Sequence, residues 1–375
     1  MKKTYTRRTA LSAFAAASAL ALAACSNPQG VGGSEGETGE DVAMPDRVNM
    51  LIPYSEGGGT DTWARFLAPY LEENVEGNPS FVAENVPGGE SITGSNQFVQ
   101  NGVTDGSEVL VTSGTTYFQA LLGRPEVEFD FTKLRPLMFN GTGGVIYVSS
   151  STGIESAEDL QDLEEPLVYG GISATGLDLS LLQAFDVLDI DIDATFGFEG
   201  RGPARLALER GEITLDYQTT SAYLTQVEPM VEAGTAVPLM TFGFAEDGEI
   251  VRDPNLPELP TVAEVYEQMN GEEPSGEAFE AYRAFLIPGF VYQKGLWATE
   301  GTPDSIVEAY WAAAEALEDD EEFQSSAEDV LGGYPLYSGE VAQDDLLEAF
   351  DISPEVRQYT LDMLQNEYDT TVESS

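Results

Sequence analysis

Short apolar runs alternate with amphipathic stretches along most of this chain. The runs Val48–Ile52, Phe81–Glu84, Val109–Thr112, Val145–Val148, Leu167–Tyr169, Ala194–Phe198, Ile213–Asp216 and Val237–Thr241 read as strands. Apolar positions at helical spacing predict helices over Thr60–Glu73, Ile92–Asn101, Ala157–Asp162, Leu177–Leu188, Pro203–Glu209, Leu224–Ala233, Val262–Gln268, Pro303–Leu317 and Pro354–Asn366. Pro203 and Pro303 stand where a proline suits a first helical turn. Strands alternating with helices predict an α/β fold, its largely parallel sheet covered on both faces. Ile306, Val307, Tyr310, Trp311 and Ala314 recur on one helix face and read as core. The acidic, proline-punctuated stretches Glu246–Glu258 and Asn270–Gly276 read as surface loops.

The first 45 residues break this pattern. Lys2, Lys3, Arg7 and Arg8 precede the apolar run Leu11–Ala24, which is too short to span a bilayer. Leu22-Ala23-Ala24-Cys25 resembles a lipobox, whose cysteine is lipidated and becomes the mature N-terminus. Cys25 is the only cysteine, so no internal disulfide can form. Thr6-Arg7-Arg8 also resembles a twin-arginine export signal. Ser26–Pro45 is rich in Gly, Glu, Ser and Thr and reads as a flexible tether. The expected organisation is a signal peptide over 1–24, a lipidated cysteine and tether over 25–45, and a fold from residue 46. Such a protein is exported and held at the membrane, in the periplasm or on the outer face of the cell. The remaining length suits two domains.

The formal net charge is −50. Residues 1–24 hold four basic residues and no acid, so processing leaves 12 basic against 66 acidic residues, net −54. Nucleic acid and anionic membranes are poor partners for such a surface. The acids are spread along the chain and read as a halophilic surface, solvated and screened by salt. The absence of histidine removes Ser-His-Asp chemistry and His-ligated metals. Gly32-Gly33-Ser34-Glu35-Gly36 has no flanking strand and reads as chance. Asp189, Asp191 and Asp193 lack the Gly and terminal Glu of a calcium loop. No metal and no cofactor are expected.

Candidate binding residues follow the strands. In Val48–Trp63 an apolar run leads through Gly57, Gly58 and Gly59 into a helix, with Thr60 and Asp61 as N-caps. Glycines admit close backbone approach, and open helix N–H groups attract an anion, so the loop Tyr54, Ser55, Gly57–Gly59, Thr60, Thr62 is the first candidate. Asp61 would repel an anion and is expected to cap its helix or brace the loop. Ser113, Thr115 and Thr116 follow one strand, and Ser173, Thr175 and Gly176 another, at the ends where clefts open in α/β sheets. Arg201 can grip a carboxylate in a bidentate way, or pair on the surface with Glu199 or a neighbour. Arg65 reads as structural. Asp216, at the end of its strand, could face the cleft.

Five segments in order resemble the extracytoplasmic solute receptors of the tripartite tricarboxylate transporter family, the Bug-type receptors. They are Ile52-Pro53-Tyr54 with Gly58-Gly59-Thr60-Asp61 and Arg65, then Val82–Gly89 with Gly94, then Phe196–Asp216, then Leu256–Glu264, and lastly Gly301-Thr302-Pro303. The resemblance covers roughly Val48 to Tyr334. It implies a type II periplasmic-binding-protein fold, with one domain over 46–144 plus 255–375, a second over 145–254, and a ligand cleft between them. It implies a monomeric receptor that closes on a small carboxylate, of di- or tricarboxylate type, delivers it to a membrane permease and does no chemistry. Three positions depart from the family pattern. Glu199 replaces a usual basic residue, Arg201 a small one, and Thr175-Gly176-Leu177-Asp178 a segment that often carries His. Two other readings stay open: a sensor presenting ligand to a membrane kinase, and a secreted enzyme on the same fold.

Overall fold

A computed structural model of the chain describes residues 42–246 and 249–373. The expected signal peptide, Cys25 and nearly all of the tether lie outside the described residues.

In chain order, β1 (Arg47–Ile52), β2 (Ser80–Asn85), β3 (Glu108–Ser113) and β4 (Arg135–Asn140) begin a first sheet. The chain then builds a second sheet from β5 (Gly144–Ser149), β6 (Leu167–Gly171), β7 (Ile192–Phe196), β8 (Leu215–Thr219) and β9 (Ala236–Thr241). A hairpin of β10 (Phe244–Glu246) and β11 (Glu249–Val251) follows, and β12 (Lys294–Ala298) and β13 (Leu336–Tyr337) return to the first sheet. The strand orders are β13-β4-β12-β3-β1-β2 and β7-β6-β8-β5-β9. This is a two-lobed α/β architecture, one sheet to each lobe.

Neither sheet is wholly parallel. β1 pairs in parallel with β2 and β3, while β12 runs antiparallel between β3 and β4. β6 is parallel to β7 and β8, while β5 runs antiparallel between β8 and β9. The sequence pattern did not predict β4 or β12. Pro136 and Gly295 interrupt them, and such residues weaken a strand signal.

The helices that position the site are α1 (Gly59–Asn74), α2 (Ile92–Asn101), α3 (Gly114–Leu121), α4 (Asp178–Val187) and α5 (Arg201–Glu209). Helix α3 was not expected: six of its eight residues are buried, so it has no polar face to reveal its period. Helices over Glu277–Leu286, Glu321–Leu331 and Gly339–Ala349 were likewise unexpected. Ala157–Asp162 is a 3₁₀ helix, Tyr223–Val227 a π turn, and the expected loop Glu246–Glu258 contains β11. Tyr310 is fully buried, but Trp311 is only partly so and lines a surface cavity.

The passage between the lobes, Gly141-Thr142-Gly143, is buried. A Cβ on Gly143 would lie 1.7 Å from Asp253 Oδ2 and 2.4 Å from both the Thr220 and Tyr334 hydroxyl oxygens. Asp253 itself is fully buried. It accepts from Thr220 Oγ1 at 2.6 Å, from the Tyr334 hydroxyl at 2.6 Å, and from the Asn255 amide at 2.9 Å. Only glycine leaves room for this carboxylate beside the crossing strand. Among the described residues, no helix is long and apolar enough to cross a membrane.

Candidate ligand-binding site

In the first lobe, β1 and β3 end at the same sheet edge. From β1 the chain passes through Pro53–Gly58 into α1. The helix begins at Gly59 with Gly58 as N-cap and without a side-chain cap, so Thr60 and Asp61 lie inside its first turn rather than capping it. Asp61 is buried and braces the loop. It accepts from the Gly57 amide at 2.8 Å, Arg65 Nε at 2.8 Å and Asn85 Nδ2 at 2.9 Å. Burial opposes its charge, but these bonds, led by that from Arg65, outweigh it and hold the carboxyl below its ordinary range. Ser55, Gly57, Gly58, Gly59 and Thr62 are exposed.

Tyr54 turns its hydroxyl inward. Ser113 Oγ donates to it at 2.7 Å, and Thr116 Oγ1 lies 2.7 Å away. Ser113 N-caps α3, with Thr116 completing a capping box, so Ser113–Thr116 is a strand-to-helix junction. Ser113 and Thr116 are buried and Thr115 is partly exposed. The Ser91 hydroxyl is buried beside Tyr54, with no partner in good hydrogen-bond geometry.

Lys294, absent from the sequence-based candidates, completes this edge. Because β12 runs antiparallel to β3, its first residue lies where β3 ends, in register with Ser113. Directly opposed residues point to the same sheet face. Lys294 Nζ donates to Thr60 Oγ1 at 3.0 Å, in the first turn of α1. Desolvation lowers its pKa to about 8, with no carboxylate among the described residues opposing the shift.

In the second lobe, β6 leads through Ser173–Gly176 into α4. Asp178 is buried and accepts from the Ile172 and Ser173 amides at 2.9 and 3.0 Å, and from the Tyr169 hydroxyl. The loop meets the first lobe directly. Thr175 Oγ1 donates to the Glu90 carboxylate, Gln119 Nε2 donates to the Thr175 carbonyl at 2.9 Å, and a Cβ on Gly176 would touch Thr115 at 3.5 Å. The loops expected to face a ligand from either side therefore converge.

Arg201 opens α5 behind this loop. Its Nη1 lies 3.3 Å from Asp178 Oδ1 and 3.2 Å from Asp216 Oδ1, and donates to the Tyr169 hydroxyl at 2.9 Å. Nη2 donates to the Gly170 carbonyl at 2.7 Å, and the guanidinium stacks 4.6 Å from the Tyr217 ring centroid. Nε is buried without an acceptor among the described residues. Arg201 thus pairs with Asp178 and Asp216 rather than with Glu199. Asp216 is not at a strand end: it is the second residue of β8 and fully inaccessible. Burial pushes it up to about 6, against the opposing effects of Arg201, Tyr147 and Gln218. Asp216 is a structural counter-charge and cannot touch a ligand in this conformation.

A cavity of about 1070 Å³ lies elsewhere, between the β10–β11 hairpin and the helix Asp304–Glu318.

No family model and no curated protein matches the chain. Solved structures do. The periplasmic binding protein BugD shares 19% identity with a TM-score of 0.59, over 88% of this chain and 100% of its own. Rpa4515 of R. palustris, solved with adipate, shares 20% identity with a TM-score of 0.60, over 85% of this chain and 96% of its own. MatC of Rhodopseudomonas palustris, with bound malate, shares 19% identity with a TM-score of 0.56, over 85% of this chain and 98% of its own. The chain has the fold of the Bug- and TctC-type periplasmic binding proteins.

Proposed function

We propose that this protein is an extracytoplasmic receptor of the tripartite tricarboxylate transporter family, anchored through lipidated Cys25. It captures a small carboxylate and hands it to membrane permease subunits. The observation that carries this reading is the convergence of uncapped α1, the Tyr54–Ser113–Thr116 hydroxyls and Lys294 at one sheet edge, facing the Ser173–Gly176 loop. Open N–H groups and a cation without a carboxylate partner form an anion site in a chain that is otherwise strongly acidic. Adipate and malate in the solved structures of like fold agree with a carboxylate guest. The role is capture and release by lobe closure, with no bond made or broken.

A thermal-shift screen in high salt tests the reading, with carboxylates set against sugars, amino acids and simple cations. A ligand that binds only the folded state raises the melting temperature. Stabilisation by carboxylates is expected; a response to sugars or cations alone would refute the ligand class. Cys25→Ser is expected to release the protein from the membrane fraction. Retention would refute the anchor.

A further inference from the structure

We propose that Lys294 anchors the carboxylate, and that the ligand is a monoanion whose other end is uncharged or cationic. This rests on the carboxylate-receptor reading and narrows it. Only two lysines lie beyond residue 24. Lys133 is exposed and paired with Asp130, whereas Lys294 is partly buried and has, among the described residues, a single neutral acceptor, Thr60 Oγ1. An ammonium has three donors, so two are open to a guest. Asp61, in the first turn of α1, is already engaged by Gly57, Arg65 and Asn85. The buried Ser91 hydroxyl, without a good partner beside Tyr54, is a second polar group awaiting one. A cation desolvated without a counter-charge is costly, and an incoming carboxylate removes that cost.

The second lobe sets the number of charges. Arg201, behind the Ser173–Gly176 loop, already holds two carboxylates, Asp178 and Asp216. Its charge against theirs leaves this cluster at −1 when both acids are ionised. A second ligand carboxylate would meet a guanidinium already paired with two carboxylates and a net negative field. A hydroxyl, carbonyl, alkyl or ammonium end meets no such opposition. The di- and tricarboxylates expected from the resemblance are therefore disfavoured.

The test is calorimetric binding to the full chain at neutral pH, with length-matched probes: hexanoate, 6-aminohexanoate and adipate, then 3-hydroxybutyrate, 4-aminobutyrate and malate. At least one monocarboxylate is expected to bind about tenfold or more tightly than its matched dicarboxylate. Lys294→Met and Lys294→Gln are expected to lose about 10- to 100-fold in affinity. Their ligand-free melting temperatures are expected to hold or rise, which a merely structural lysine would not allow. Asp216→Asn, which brings the cluster to zero net charge, is expected to narrow the gap between mono- and dicarboxylate. Tighter binding of the dicarboxylates would overturn the monoanion while leaving the receptor intact. Unchanged affinity in both Lys294 variants would overturn the anchor. Failure of every carboxylate to bind would overturn the receptor reading and this inference with it.

Discussion

The Glu90 carboxylate of the first lobe accepts the Thr175 hydroxyl of the second, at 3.0 and 2.9 Å from its two oxygens. The same carboxylate takes Arg124 Nη1 at 2.8 Å. Glu90 and its neighbour Ser91 hold φ of 54° and 80°, a left-handed conformation that costs non-glycine residues energy. The loop after β2 is thus bent to deliver one carboxylate across the lobe boundary. Thr175→Val removes the hydroxyl and keeps the shape. Small-angle scattering is expected to show a larger radius of gyration for the ligand-free variant than for the parent. An unchanged curve would mean that this contact does not hold the lobes together.

Arg201 compensates two buried acids, so its removal leaves them unpaired. Arg201→Ala is expected to destabilise the fold by about 3–5 kcal/mol, read from equilibrium denaturation. A loss below about 1 kcal/mol would show that water, not the guanidinium, satisfies Asp178 and Asp216.

Lys294 makes stability depend on pH. Its pKa is about 8 in the fold against 10.5 for an ordinary lysine. Between those values the unfolded chain carries a proton that the folded chain lacks, so stability rises with pH through this window. The gain is on the order of 2–3 kcal/mol, present in the parent and absent in Lys294→Met. Asp216 acts in the opposite sense at lower pH. With a folded value of about 6 against 3.8, the folded chain holds the extra proton, and stability falls as pH rises from 3.8 to 6. Unfolding free energies across pH for the parent, Lys294→Met and Asp216→Asn check both slopes.

Gly143→Ala drives a methyl into Asp253, Thr220 and Tyr334 at the lobe crossing. The expected cost is about 1–3 kcal/mol, measured by denaturation, from displacing a buried carboxylate and its donors. Asp253→Asn gives the shared partner a separate reading: if its cost matches that of Gly143→Ala, the two act through one cluster.

A net charge of −50 repels itself. Raising salt from 0.1 to 1 M shortens the screening length from about 10 to about 3 Å, and the melting temperature is expected to climb across that range. A flat response would show that the acids are already compensated by local pairing.

Most strands and helices between residues 47 and 241 were legible in the sequence, because amphipathic helices and short apolar strands carry their own periods; α3, buried on most sides, and β4, interrupted by Pro136, were not. The Tyr54–Thr62 loop, the Ser113–Thr116 junction and the Ser173–Gly176 loop were legible for the same reason: each follows a readable strand. Lys294 was not. It stands at the head of an antiparallel strand interrupted by Gly295, 181 positions after Ser113, and only sheet pairing places the two side by side. The partners of Arg201 also lay beyond reach. Asp178 and Asp216 come to it from a helix start and a neighbouring strand, and the choice between ligand and internal acids is one of packing. Local chemistry is written along the chain. Which charges are left without a partner is decided by what the fold buries together.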